Sequence, residues 1–454
     1  MNLTPPSQYD FLPRFYRLAI VNVLSNIMVP LSGLCSVAFL GHLTDIHSLA
    51  GVALGSILFN LIYFSLEFLR MGTTGVTAQA VGRDDREAML LVGLRNGLIA
   101  LGLGLALLIL HYPVREVGFA LLNAEPEVKA SGIAYFDARI AGMPAALLNF
   151  VLIGWLVGRE KNNKVLVLSI VGNAANVILN YLLIIQWGWD STGAGISEAF
   201  SQYLMLLVGL VLAIPGIQWQ EIQAVAPQLR DLSAFKTTFA LNRDILTRTL
   251  TEVATFTIFG NLSATMGTVL FTQNTLLMQI GQMSVYFTNG LGYAVETLTG
   301  NFKGQGENEK FIPLVRVSVA SSLVVGLSFA AACVFFPQNI FGLLTNHAEI
   351  TSHIDTYAWG LILLLAFASA STMLEGYFLG LAQGDIIRNV SLIASVVGFA
   401  PSAIAAWYFH NNHILWLSVS LFLFAKTALL AVYLTKSLSS DAKTEPVSAA
   451  PVGN

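Results

Sequence analysis

Landmarks in the first half of this 454-residue chain return in the second half at a nearly constant distance. Gly154 and Gly158, in GWLVGRE, come back as Gly376 and Gly380, in GYFLGLA. Gly82, before RDDRE, comes back as Gly304 before QGENE, and Tyr135 as Tyr357, each 222 residues on. Pro113 and Glu125 match Pro337 and Glu349 at a spacing of 224. A period of this length marks a duplicated structural unit, and the strongly apolar sequence between the landmarks makes it a membrane unit.

Hydrophobic residues make up 55% of the chain and charged residues 11%, with a mean hydropathy of +0.69, which excludes a soluble core at this length. Apolar runs near or above the roughly 20 residues that cross a bilayer recur twelve times. They cover about 15–40, 49–80, 88–110, 131–158, 163–186, 191–214, 245–267, 271–300, 311–336, 353–382, 389–409 and 414–435. Six spans per half is an even number, so both halves insert in the same direction, related by a pseudo-two-fold axis along the membrane normal. The expected fold is therefore all-α integral membrane, with two six-helix lobes. Residues 1–215 form the N-lobe, 216–244 a linker along the membrane surface, 245–436 the C-lobe and 437–454 a disordered tail.

Basic residues set the orientation. Arg14 and Arg17, the clusters after the even-numbered helices (Arg83, Arg86 and Arg95; Arg159, Lys161 and Lys164; Arg230, Lys236, Arg243 and Arg248; Lys303, Lys310 and Arg316; Arg388) and Lys436 all fall on one side, against Arg115 and Lys129 on the other. By the positive-inside rule both termini are cytoplasmic and the protein is a multi-pass protein of the cytoplasmic membrane. The polar segment MNLTPPSQYD has no cleavable apolar leader, so helix 1 reads as a retained span. Cys35 and Cys333 lie within spans, which argues against a disulfide framework. Nothing in the charge pattern suggests nucleic acid, and a monomer in a lipid bilayer is expected.

Four strings identify a resemblance. LRMGTTGVTAQAVG (Leu69 to Gly82), GNAANVILN (Gly172 to Asn180), FALNRDI (ending at Ile245) and GYAVE (ending at Glu296) together resemble the DinF-like branch of the multidrug and toxic compound extrusion (MATE) family, from about Arg17 to Lys436. The resemblance implies a V-shaped pair of lobes around a central cavity, and export of an organic solute by antiport with H⁺ or Na⁺. Members of that family commonly carry an Asp in helix 1 and another in helix 5, near an Asn of helix 5 and a Thr of helix 6. Here the two Asp positions are Ser36 and Asn180, the helix-5 Asn is Asn176, and the Thr position is Glu198; the Pro upstream in helix 1 corresponds to Val21.

Ionisable groups inside spans are costly, about 2.5 to 3.5 kcal/mol each on insertion scales, so each needs a reason. Ser36, Asn180 and Glu198 share a depth near the outer surface and Asp137 enters at a similar level, so Glu198 is expected to take and release a proton among Ser and Asn partners. For Asp137 and Arg139, two residues apart on one helix, a structural ion-pair network is the preferred reading. Glu252 resembles the helix-7 Glu of NorM-type members, which contributes to a C-lobe cation or substrate site. Glu375 lies toward the cytoplasmic end of helix 10, Glu296 reads as a solvated cap at the end of helix 8, and Lys426 is the one basic group noted in helix 12. Glu67 either faces the cavity and attracts a cation or is neutralised by Arg70 one turn on. Arg70 and Arg139 are the only arginines assigned to the membrane interior.

Tyr63, Phe64, Phe136, Phe150, Tyr286, Phe287 and Tyr377 are candidates to line the cavity and contact a cationic ligand. The ion-coupling candidates are thus Glu198, Asn176, Asn180, Ser36, Asp137 and Glu252, and the substrate-binding candidates Glu67, Tyr63, Phe150, Tyr286 and Glu375. The expected function is secondary active export of an organic, cationic small molecule such as a guanidinium or amine compound. No cofactor is expected beyond the coupling ion, H⁺ or Na⁺. A lipid-linked precursor flippase of the same fold is the alternative, disfavoured because both intramembrane arginines have acidic neighbours. No nucleophile–base spacing or metal-ligand cluster suggests an enzyme.

Overall fold

The computed structural model describes residues 7–41, 46–342 and 355–444; Glu349 and the tail from 445 lie outside the described residues. Among the described residues, twelve long helices make up the two lobes, and ten of them, counting a bent pair as one, are long and apolar enough to cross a membrane. The first six are α1 (Leu12–Gly41), α2 (His47–Gly82), α3 (Arg86–Ile109), α4 (Pro126–Ile140 with Met143–Gly158), α5 (Asn162–Gln186) and α6 (Asp190–Ala213). The second six are α7 (Leu232–Thr265), α8 (Thr268–Gln305), α9 (Phe311–Phe335), α10 (Gly360–Gly380), α11 (Gly384–Phe409) and α12 (Asn412–Thr444). The protein is an all-helical, multi-pass membrane protein of two lobes.

Local sequence explains the departures from straight rods. The two parts of α4 meet at 56°, where Met143-Pro144 opens the second part and Pro lacks the N–H that would continue the first. α2 breaks for one residue at Glu67. Pro30 lies inside α1 and cannot donate to the carbonyl of Asn26, whose side chain instead reaches the Tyr286 carbonyl of α8 at 3.4 Å. α7 begins at Leu232, capped by Asp231, rather than near 245, and α12 continues as helix to Thr444. Between the lobes, Trp219–Val225 forms a short helix whose Glu221 is held by Arg86 at 2.9 Å.

The duplication is written into the packing. A Cβ on Gly154 would stand 2.5 Å from the Arg70 carbonyl, and one on Gly376 would stand 2.7 Å from the Gly292 carbonyl. Gly158 meets the Thr74 carbonyl at 2.6 Å and Gly380 the Glu296 carbonyl at 2.5 Å in the same sense. Each partner pair is again 222 residues apart. The repeated glycines exist because α4 presses on α2, and α10 on α8, closely enough to exclude any side chain. Gly82 and Gly304 meet each other, which places the pseudo-two-fold axis at the crossing of α2 and α8.

Hydrogen bonds that join the lobes lie toward the side carrying the chain termini. Gln79 donates to the Gly380 carbonyl at 2.8 Å, Thr297 to the Val157 carbonyl at 3.5 Å, Asn22 to the Gly290 carbonyl at 3.4 Å and Asn242 to the Asn96 side chain at 3.2 Å. The lobes are thus held at one end of the seam.

Candidate functional site

Ser32, Ser36, Asn176 and Asn180 bring α1 and α5 together in one network. Ser32 donates to Asn176 Oδ1 at 2.9 Å, and Asn180 Nδ2 donates to Ser36 Oγ at 2.7 Å and to Asn176 Oδ1 at 3.1 Å. The helix beyond Asn180 loosens into a π turn over Tyr181–Gln186. The expected grouping of Ser36, Asn176 and Asn180 is therefore present, but it holds neutral partners.

Glu198 does not join that network, which corrects the shared-depth argument: depth fixes a level in the membrane, not a face of the helix. Its partner is Arg139, at 3.7 Å. The Arg139 guanidinium lies over Phe59 at 4.5 Å and Tyr63 at 5.4 Å and donates to Tyr135 Oη, while Tyr63 packs edge-on to Phe150 at 5.6 Å. Asp137 is corrected too. It pairs neither with Arg139 nor with Glu198 but with Arg115 at 2.6 Å, and 38% of its side chain is exposed. Two residues apart on a helix point in different directions, so Asp137 and Arg139 serve separate clusters.

In the C-lobe four charges close on one another. Arg248 contacts Glu252 at 3.1 Å and clasps Glu375 with Nε at 2.8 Å and with Nη2. Lys426 bridges Glu375 at 2.9 Å and Glu252. Glu375 is 4% exposed and its oxygens are engaged, so the expectation that it contacts substrate is corrected. Arg248, assigned from sequence to the surface, is a third interior arginine. Its position one turn before Glu252 and inside the seventh apolar run was the available signal.

A third cluster straddles the lobes. Arg70 of α2 donates to Glu67 at 2.8 Å and stacks on the Tyr293 ring of α8 at 3.6 Å; Tyr293 Oη donates to Glu67 at 3.4 Å. Tyr286 also faces Glu67 electrostatically. Glu67 is thus neutralised by Arg70, yet its side chain keeps 25% exposure against 7% for the arginine. Glu296, expected as a solvated cap, is 1% exposed, because α8 continues two turns beyond it to Gln305. Tyr377 and Phe136 are fully buried core residues rather than cavity lining.

A twelve-helix, two-lobe membrane protein with charge clusters in each lobe and at the seam between them belongs to the class of carriers rather than of enzymes. The MatE family model matches residues 22–182 and 247–404, once in each half, and the chain belongs to this family of transporters. It is 30% identical to DNA damage-inducible protein F of Escherichia coli over 408 residues, covering 90% of this chain and 88% of that protein. It is 21% identical to the probable multidrug resistance protein NorM of Thermotoga maritima, covering 74% of this chain and 72% of that one. Its fold is similar to a multidrug resistance MATE family transporter of the MOP superfamily in an outward-facing conformation, with a TM-score of 0.85, 18% identity and coverage of 95% and 96%.

Proposed function

We propose that the protein is a secondary active exporter of organic cations, working as a monomer in the plasma membrane with both termini in the cytoplasm, and exchanging its substrate for H⁺. The observation that carries this reading is the asymmetry of the two charge pairs beside the aromatic residues. In each, the carboxylate is the more exposed partner: Glu67 at 25% against Arg70 at 7%, and Glu198 at 28% against Arg139 at 13%. A cation entering beside Tyr63, Phe150 and Tyr286 meets carboxylate oxygen before guanidinium, and aromatic faces supply the remaining attraction.

Alternating access follows from the seam. The lobes are held at the terminal end by neutral hydrogen bonds and backbone packing around glycines, which is the end they must part for substrate to enter from the cytoplasm. Differential binding of substrate and ion to the two arrangements drives the exchange. The C-lobe tetrad, whose two acids are filled by Arg248 and Lys426, favours H⁺ over Na⁺ because no vacant carboxylate pair is left there for a metal ion. Reconstitution into liposomes, with a pH gradient and a sodium gradient imposed separately, tests the reading: ethidium accumulation is expected under the pH gradient alone. Accumulation driven by sodium alone refutes the choice of ion, and none under either gradient refutes export of this cation.

A further inference from the structure

In the three interior clusters described above, the charges balance in all but one. Arg139 meets Glu198, and Arg248 with Lys426 meets Glu252 with Glu375. At the seam, Arg70 alone faces two acids, Glu67 of its own helix and Glu296 of α8. Arg70 is committed to Glu67, and Arg248, which also faces Glu67, is occupied by two carboxylates. Glu296 is left over. Gly75 of α2 lies beside its carboxylate, and Oε1 is buried without a hydrogen-bond partner. Burying an anion with one oxygen unsatisfied costs far more than burying the protonated acid.

Among the described residues, the other elements packed here turn their cations elsewhere: Arg14 of α1 pairs with Glu160, Arg248 of α7 with Glu252 and Glu375, and Arg316 of α9 is exposed. α10 lays Gly376 and Gly380 on α8 while its Glu375 turns to Arg248 and Lys426. α4 lays Gly154 and Gly158 on α2. α1 contributes the amides of Asn22 and Asn26 further along α8. A metal ion is poorly suited, since the guanidinium of Arg70 already presents positive charge to it. A proton needs only the one free oxygen.

We propose that Glu296 is the residue that carries the coupling proton. The inference rests on the export reading above. With the seam closed, an O–H bond forms at Glu296 as a proton arrives past Glu67 and Tyr293 from the open side, and the seam cluster becomes neutral. Parting α2 from α8 on the terminal side exposes Glu296 to water, the O–H bond breaks, and the proton leaves to that side as substrate enters.

The test compares wild type with Glu296→Gln, Glu296→Asp and the exposed control Glu127→Gln in ethidium-loaded and empty liposomes, alongside infrared spectra of the purified proteins at neutral pH. Expected for Glu296→Gln are retained ethidium binding, retained ethidium exchange without a gradient, loss of pH-driven accumulation, and loss of a carboxylic C=O band seen in wild type. Glu296→Asp is expected to keep the band and part of the accumulation. Glu296→Gln that accumulates ethidium as wild type does, or leaves the band intact, overturns the proposal. A wild type that moves no ethidium but shows the band, lost in Glu296→Gln, refutes the export reading and upholds the protonation.

Discussion

Lys426→Met is expected to cost about 3 kcal/mol of stability, and the charge-balanced double variant Lys426→Met/Glu252→Gln about 1 kcal/mol or less. Lys426 is 2% exposed, and its ammonium lies 2.9 Å from Glu375, itself 4% exposed. At an effective dielectric of about 20, attraction at that distance is roughly 6 kcal/mol, and desolvation of both groups opposes it. Removing the lysine strands two carboxylates around one guanidinium, which is the situation in which a broken buried pair costs about 3 to 5 kcal/mol. The lower end applies because Arg248 still clasps Glu375 through two nitrogens. Removing Glu252's charge as well leaves one base on one acid, so most of the penalty disappears. The assay is reversible unfolding in mixed micelles, followed by tryptophan fluorescence, with the coupling read from the double-mutant cycle. A single variant as stable as wild type, or a double variant as damaged as the sum of the singles, refutes the reasoning that charge balance holds the tetrad together.

Gly380→Val and Gly158→Val are expected to destabilise by about 1 to 3 kcal/mol each, because the new Cβ meets a carbonyl that belongs to a helix backbone. Gly97→Ala, where a Cβ meets open space, is expected to be neutral or stabilising by up to about 1 kcal/mol in the same micelle titration. Glu67→Gln is expected to lower ethidium affinity while leaving that of a neutral dye unchanged, and unaltered preference removes the substrate role of that carboxylate. The N–H of Gln218 and the Arg86 guanidinium hold Glu221 below the usual carboxylate range, so the anchoring of the linker helix is present above about pH 4.3 and lost as pH falls through the lower folded value. Amide exchange over Trp219–Val225, referenced to Glu221→Gln, is expected to rise at acid pH in wild type only.

The fold was legible because it rests on patterns that survive without partners. Apolar runs of spanning length and glycines repeated at 222 residues report on the bilayer and on backbone approach, and both are local properties. α7 and α8 are the exceptions in composition: their apolar runs were counted with the others, yet neither whole helix is apolar enough by mean hydropathy to stand out as a span. The candidate site was legible as an inventory but not as a wiring diagram. Glu67, Glu198, Glu252 and Glu375 were all picked out by their cost inside a span. Which base answers each acid depends on helix rotation and on contacts between distant helices. Arg115 reaching Asp137, and Lys426 reaching across to Glu252 and Glu375, leave no trace in spacing. Arg70 with Glu67, one turn apart, was local enough to read; Arg248 with Glu252 had the same spacing and was passed over because Arg248 was counted with the surface cluster.

The energetics of the seam fit a machine that must open it. Among the described residues, five buried or partly buried hydrogen bonds join the lobes through uncharged groups, from Asn22, Asn26, Gln79, Asn242 and Thr297, besides an exposed one between Tyr16 and Ser321. At about 1 kcal/mol net each they amount to roughly 5 kcal/mol, less where water replaces them on opening. Moving a two-state equilibrium from 1:99 to 99:1 takes about 5.5 kcal/mol of differential binding. A network of buried ion pairs across the seam would have raised the barrier beyond what a proton and a small cation can supply. The strong pairs are instead kept within each lobe, where they move with it, and the one uneven group, Glu296, stands on the surface that opens.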